Sequence, residues 1–193
     1  MEKQKKTISS IIHDAYQELA DIISGAYIDK EDNLKKYDRS KLSRAFGIFI
    51  AMIAASFIFG IVFGILLGPF GAKIFMTVVA PIIEEISKNV AIKAECTVEY
   101  TALFNIFEFT GFVIQGQSVI VRLIVVGMHI TTTAIQKLMQ SEWLHKKLGI
   151  SPDDKEKKDK LDFIGHLIGI LIHSGWNSGA VFSTKFQNLI GSL

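Results

Sequence analysis

The chain has 193 residues, is 49% hydrophobic and carries a formal net charge of +2. That length suits one domain, and so small a charge leaves no electrostatic footprint for nucleic acid, which we exclude as a partner. The single cysteine, Cys96, excludes an internal disulfide and any cysteine metal cluster. The apolar residues fall in long runs separated by charge-dense stretches, the pattern of a membrane protein rather than a soluble core. No signal peptide is visible: Met1 to Lys6 is basic, but the apolar positions that follow are spaced helically and interrupted by charge.

Residues 7–27 predict an amphipathic helix. Ile8, Ile11, Ile12, Ala15, Leu19, Ile22, Ile23 and Ala26 form its apolar stripe, and His13, Asp14, Gln17, Glu18 and Asp21 lie mostly off it. Asp14 and Glu18 make it too polar to span, so it is expected on the membrane surface or under the bundle. His13 reads as a surface histidine. Asp29 to Arg44 is a basic connector. The expected division is therefore 1–44, a cytoplasmic helix and connector, and 45–193, the transmembrane part.

Ala45 to Leu67 is uncharged and long enough to cross roughly 30 Å of hydrocarbon. Ser56, Gly60, Gly64 and Gly68 recur along it at every fourth position, a spacing that lets another helix approach. Gly68-Pro69-Phe70-Gly71 predicts a tight turn. The second span, about Ala72 to Ala94, holds Glu84 and Glu85 near its middle, at an insertion cost of roughly 2.5–3.5 kcal/mol each. Lys88 can neutralise one of them locally. Pro81 should kink or loosen the helix just ahead of the carboxylates.

The third span, about Tyr100 to Gln115, is short and aromatic and carries Glu108; Gly116 begins the next turn. The fourth, about Ser118 to Met139, has Arg122 near one end, placed to snorkel to headgroups, and His129 near its centre. Gln140 to Lys160 reads as a solvated connector, part helical around Glu142 to Leu148. The fifth span, about Leu161 to Phe182, puts His166, His173 and Asn177 near one helical face. Gly165 and Gly169 continue that face and allow close packing. The fold class is thus all-α, a polytopic bundle of about five transmembrane helices plus the N-terminal amphipathic helix. The basic segments before span one and after span four place the N-terminus in the cytoplasm and the C-terminus outside.

The span midpoints fall near residues 83, 107–108, 128–129 and 171–172, beside Glu84, Glu85, Glu108, His129 and His173. At about 1.5 Å rise per residue these groups lie near one plane, which predicts a shared polar site. Carboxylates and imidazoles together suit acid–base chemistry, metal binding, or ion relay.

Glu84-Glu85-Ile86-Ser87-Lys88, Phe104-Asn105-Ile106-Phe107-Glu108, the mid-helix His129 and His173-Ser174-Gly175-Trp176-Asn177 together resemble the motif set of a known superfamily. It is the membrane-embedded glutamic proteases, which include PrsW and the CAAX-protease and bacteriocin-processing (CPBP, or Abi) proteins. The resemblance covers about Ala72 to Ala180. Glu108 stands where CPBP members carry histidine, and Lys88 follows the pair at the shorter PrsW spacing.

The resemblance implies an intramembrane protease acting on a membrane protein or lipidated peptide, without a cofactor. It implies Glu84 as general base on a water, Glu85 and Lys88 tuning its charge, and His129 with Glu108 holding the water. His173 and Asn177 would donate to the developing oxyanion. His166 is not expected to be catalytic. Two other readings stay open: a zinc protease with Glu84, His129 and His173 as ligands, and a non-catalytic membrane scaffold of the same fold.

Overall fold

The computed structural model describes residues 39–183 together with Asn188, and every element among them is helical. The expected 7–27 helix with His13 lies outside the described residues, as does Lys185. In chain order the elements are α1 (Arg39–Ile74), a π-helical turn (Phe75–Val79), α2 (Ala80–Lys93), α3 (Thr97–Ile114), α4 (Val119–Met139), α5 (Glu142–Lys147) and α6 (Lys155–Phe182). Helix α1 starts ahead of the expected boundary at residue 45, so Arg39 to Arg44 is helix rather than connector. Likewise α6 begins at Lys155, before the expected Leu161: its first turns are charged but carry an N-cap, Asp154, whose side chain accepts from the Lys157 N–H.

Helix α1 is two helices joined at Gly68, whose φ of 57° and ψ of −142° suit only glycine. The chain reverses there. Phe75 packs back on Gly60, its ring 3.5 Å from where a Cβ would sit. A side chain at Gly71 would run into the carbonyl oxygen of Phe63. The expected Gly68 to Gly71 turn is therefore present, and two of the small residues serve it directly.

Helix α2 lies at the centre, packed on α1, α3, α4 and α6. One apolar cluster joins α1 to α2 and α3 through Ala45, Phe49, Met52, Ala91, Cys96, Tyr100 and Phe104. On the other side, Gly165 and Gly169 let α6 close on α4 at Met139 and Gln136. Most other large apolar side chains face outward; Ile65 is 78% exposed and Ile114 80%. Among the described residues two stretches are long and apolar enough to cross a membrane, Ser40–Lys93 and Val119–Met139. The first, at 54 residues, is more than twice the length one crossing needs, and it folds back at Gly68.

Candidate active site

The π-turn ahead of the carboxylates has a readable cause. Its register pairs the Ala80 N–H with the Phe75 carbonyl, five residues back. The next bond in that register would run from residue 81 to Met76, but Pro81 has no N–H. The orphaned Met76 carbonyl is taken instead by Asn177 Nδ2 of α6, at 2.9 Å. Pro81 thus loosens the helix where the sequence predicts, and α6 repairs it.

One turn further on, the adjacent glutamates have opposite surroundings. Glu85 is fully buried. Its Oε1 accepts from Lys88 Nζ at 2.5 Å, His173 Nδ1 at 3.0 Å and Thr132 Oγ1 at 3.2 Å. Its Oε2 accepts from Gln136 Nε2 at 2.7 Å. A Cβ at Gly169 would lie 2.7 Å from that oxygen, so the glycine makes room for the carboxylate. Glu84 instead has a buried Oε2 with no hydrogen bond; His173 Nε2 lies 3.5 Å from it.

Lys88, 1% exposed, donates to Thr132 Oγ1 at 2.8 Å and faces His129 Nδ1 at 3.2 Å. An ammonium has only donors, so Nδ1 is the acceptor and the ring proton belongs on Nε2. Nε2 lies 2.7 Å from Glu108 Oε2, off the N–H axis and therefore not an aligned hydrogen bond. Arg122 closes the row: its guanidinium is 3.6 Å from Glu108 Oε1, 3.8 Å above the Phe112 ring, and bonded to Gln117 Oε1. Charges alternate along Arg122, Glu108, Lys88 and Glu85, with the neutral His129 ring between Glu108 and Lys88, and His173 then links Glu85 to Glu84. The rings of His129 and His173 meet edge-on, 4.7 Å between centroids.

Glu84, Glu108, His173 and Asn177 line a cleft of about 480 Å3, with Arg122, Phe57, Phe104, Phe107 and Trp176 among its walls. Glu85, Lys88 and His129 sit behind it. All the expected site residues therefore converge, in two layers: Glu84 reaches the cleft, and Glu85 is held beneath. His166 is elsewhere, in a separate cleft with Asn89, Lys93, Asp159 and Asp162. Arg122 does not snorkel outward as expected; Glu108 and Phe112 draw it in, and its side chain is only 12% exposed. Thr132 and Gln136 were not foreseen. Their signal is their spacing from His129, three and seven residues on, which puts them on the same face of α4.

No protein-family model matches this chain, nor does any curated protein or solved structure. The chemistry of the site must carry the functional reading.

Proposed function

We propose that the protein is an intramembrane endopeptidase of the PrsW and CPBP type. It is read as an integral, multi-pass protein of about five transmembrane helices, with the N-terminus cytoplasmic and the C-terminus outside. It hydrolyses a peptide bond in a membrane protein or lipidated peptide. The observation that carries this reading is the asymmetry of the glutamate pair. Glu85 has its oxygens saturated by Lys88, His173, Thr132 and Gln136, whereas Glu84, which lines the cleft, keeps an oxygen with no hydrogen-bond partner. A carboxylate with a free lone pair can accept a proton; one saturated by donors serves as a fixed charge.

In this mechanism Glu84 takes a proton from water as its oxygen bonds to the peptide carbonyl carbon. The carbonyl electrons move onto oxygen, where the second N–H of Asn177 donates to it; because Nδ1 already donates to Glu85, His173 Nε2 donates to it as well only as the doubly protonated ring. Collapse of the tetrahedral species breaks the C–N bond, and Glu84 returns its proton to the leaving amine. His129, with both nitrogens facing Lys88 and Glu108, acts here as a link that fixes the buried charges. The motif order that resembles the glutamic proteases agrees with these roles. The test is cleavage of co-expressed single-pass substrates in membranes, wild type beside Glu84→Gln, with and without a chelator. Cleavage that requires Glu84 and ignores the chelator is expected.

A zinc-dependent protease is the second reading, because one ligand atom each from Glu84, His129 and His173 lie within 4.8 Å of one another. Bound zinc would supply an activated water. Lys88 Nζ beside His129 opposes it, since an ammonium ion next to a ligand disfavours a second cation. Cleavage abolished by chelator and restored by zinc would select this reading. Cleavage that survives Glu84→Gln would refute the assignment of Glu84, and a folded protein that cleaves no substrate would favour the non-catalytic scaffold.

A further inference from the structure

We propose that the segment from Ser141 to Ile150 is an interfacial anchor: Trp143 and Leu148 sit in the headgroup layer of the bilayer, and Lys146 and Lys147 bind the phosphates of anionic lipids. The inference rests on the membrane reading above and not on the protease chemistry.

Helix α5 is too short to hold its own shape in water, yet it is capped at its start and tied back to α4. The Ser141 hydroxyl accepts from the Leu144 N–H at 3.3 Å, and His145 Nε2 bonds to the Met139 carbonyl at 2.9 Å. The second bond ties α5 to the last turn of α4, one of the membrane-length helices. Its orientation is therefore set by α4. His145 is buried by this arrangement and Leu144 half-buried, while Trp143 and Leu148 are turned outward, 37% and 56% exposed.

The outward face has the composition of a membrane boundary. Trp143 and Lys147 are four residues apart, and the ammonium lies 4.6 Å from the ring centroid. Tryptophan concentrates at the interface because its ring is apolar and its N–H polar, and adjacent lysines reach past it to the phosphates.

The charge balance is consistent with the same face. On the first turns of α6, Lys157 pairs with Asp154 at 2.9 Å, Lys160 with Glu156 at 2.6 Å, and Lys158 donates to the Pro152 carbonyl at 2.5 Å. The bonded Lys157 also holds the Asp154 carboxyl below its usual range. Lys146 and Lys147 have no carboxylate partner among the described residues. Lys155 has none either and Lys158 meets only a carbonyl, so free positive charge runs along the loop; Lys146 and Lys147 are the part of it that shares a short helix with the exposed tryptophan, the pairing that an anionic leaflet attracts.

The test uses the full chain carrying Trp176→Phe, which leaves Trp143 as the sole tryptophan, in vesicles of phosphatidylcholine with or without phosphatidylglycerol. Fluorescence should be quenched by lipids brominated at shallow positions, and iodide quenching should fall at least twofold from that of the unfolded chain. Phosphatidylglycerol should add a blue shift that Lys146→Gln/Lys147→Gln removes. Full iodide quenching with none by lipid would overturn the proposal in favour of a solvated loop. Protection from both quenchers would overturn it in favour of a protein partner or second copy. Alkaline extraction separates the two levels: a chain washed off the membrane overturns the membrane reading as well, whereas a chain that stays embedded with Trp143 open to iodide overturns the anchor alone.

Discussion

Asn177 donates from Nδ2 to the carbonyl oxygen of Met76, 2.9 Å away, and so completes a backbone bond that Pro81 cannot make. The geometry gives Asn177 a structural duty besides any part in catalysis. Asn177→Ala should cost about 0.5–1.5 kcal/mol, the net worth of the hydrogen bond to this carbonyl. With Pro81→Ala in the background, residue 81 can donate to Met76 and the cost should shrink to near zero. Thermal unfolding of the four proteins in detergent measures this coupling; equal costs in both backgrounds would refute it.

The glutamates should separate stability from activity. Glu85→Gln strips the charge partner from Lys88, which is 1% exposed, and should destabilise by about 3–5 kcal/mol. Glu84→Gln removes a carboxylate with no bonded partner on Oε2, and stability should stay the same or rise. Under the proposed chemistry the order reverses for cleavage: Glu84→Gln abolishes it while the fold remains. Unfolding midpoints and cleavage rates on the same preparations decide the point.

Gly169 and Gly64 both lie in helices but should respond oppositely to alanine. At Gly169 the added carbon meets Glu85 Oε2 at 2.7 Å and Gln136 Nε2 at 3.0 Å. Overpacking there should cost about 1–3 kcal/mol and disturb the Gln136–Glu85 bond. At Gly64 nothing lies within 4 Å, and alanine should stabilise by about 0.5–1 kcal/mol through backbone entropy. The difference in melting temperature between the two variants is the measurement.

Glu95 closes α2 with a positive φ of 56°. Its N–H bonds to the Ile92 carbonyl and that of Cys96 to the Ala91 carbonyl, each at 3.0 Å. The ends of α3 and α5 close with the same paired bonds, but there Gly116 and Gly149 hold the left-handed position. Left-handed backbone costs a side-chain-bearing residue roughly 1–2 kcal/mol. Glu95→Gly should therefore stabilise by about 1 kcal/mol, read as a higher unfolding midpoint with the helical circular dichroism unchanged.

The sequence by itself determined the helical class, the reversal at Gly68 and the grouping of polar residues. These follow from local chemistry and from depth: apolar runs, a proline beside a glycine, and ionisable groups at the middle of four long segments. It also placed the break at Pro81, because a missing N–H acts within its own helix. Only the tertiary structure decided which glutamate is free. Glu84 and Glu85 are identical in type and adjacent in the chain; they differ because about 100° of helix rotation turns Glu85 toward Thr132, Gln136 and His173 and Glu84 toward the cleft. Thr132 and Gln136 gained their roles from the packing of α4 on α2, which brings them to Glu85. Arg122 turned inward for the same kind of reason. A guanidinium near a helix end can reach headgroups or a buried carboxylate, and Glu108 on the neighbouring helix settled which. Spacing along one helix is local and can be read in a line; the partner across the gap is set by packing.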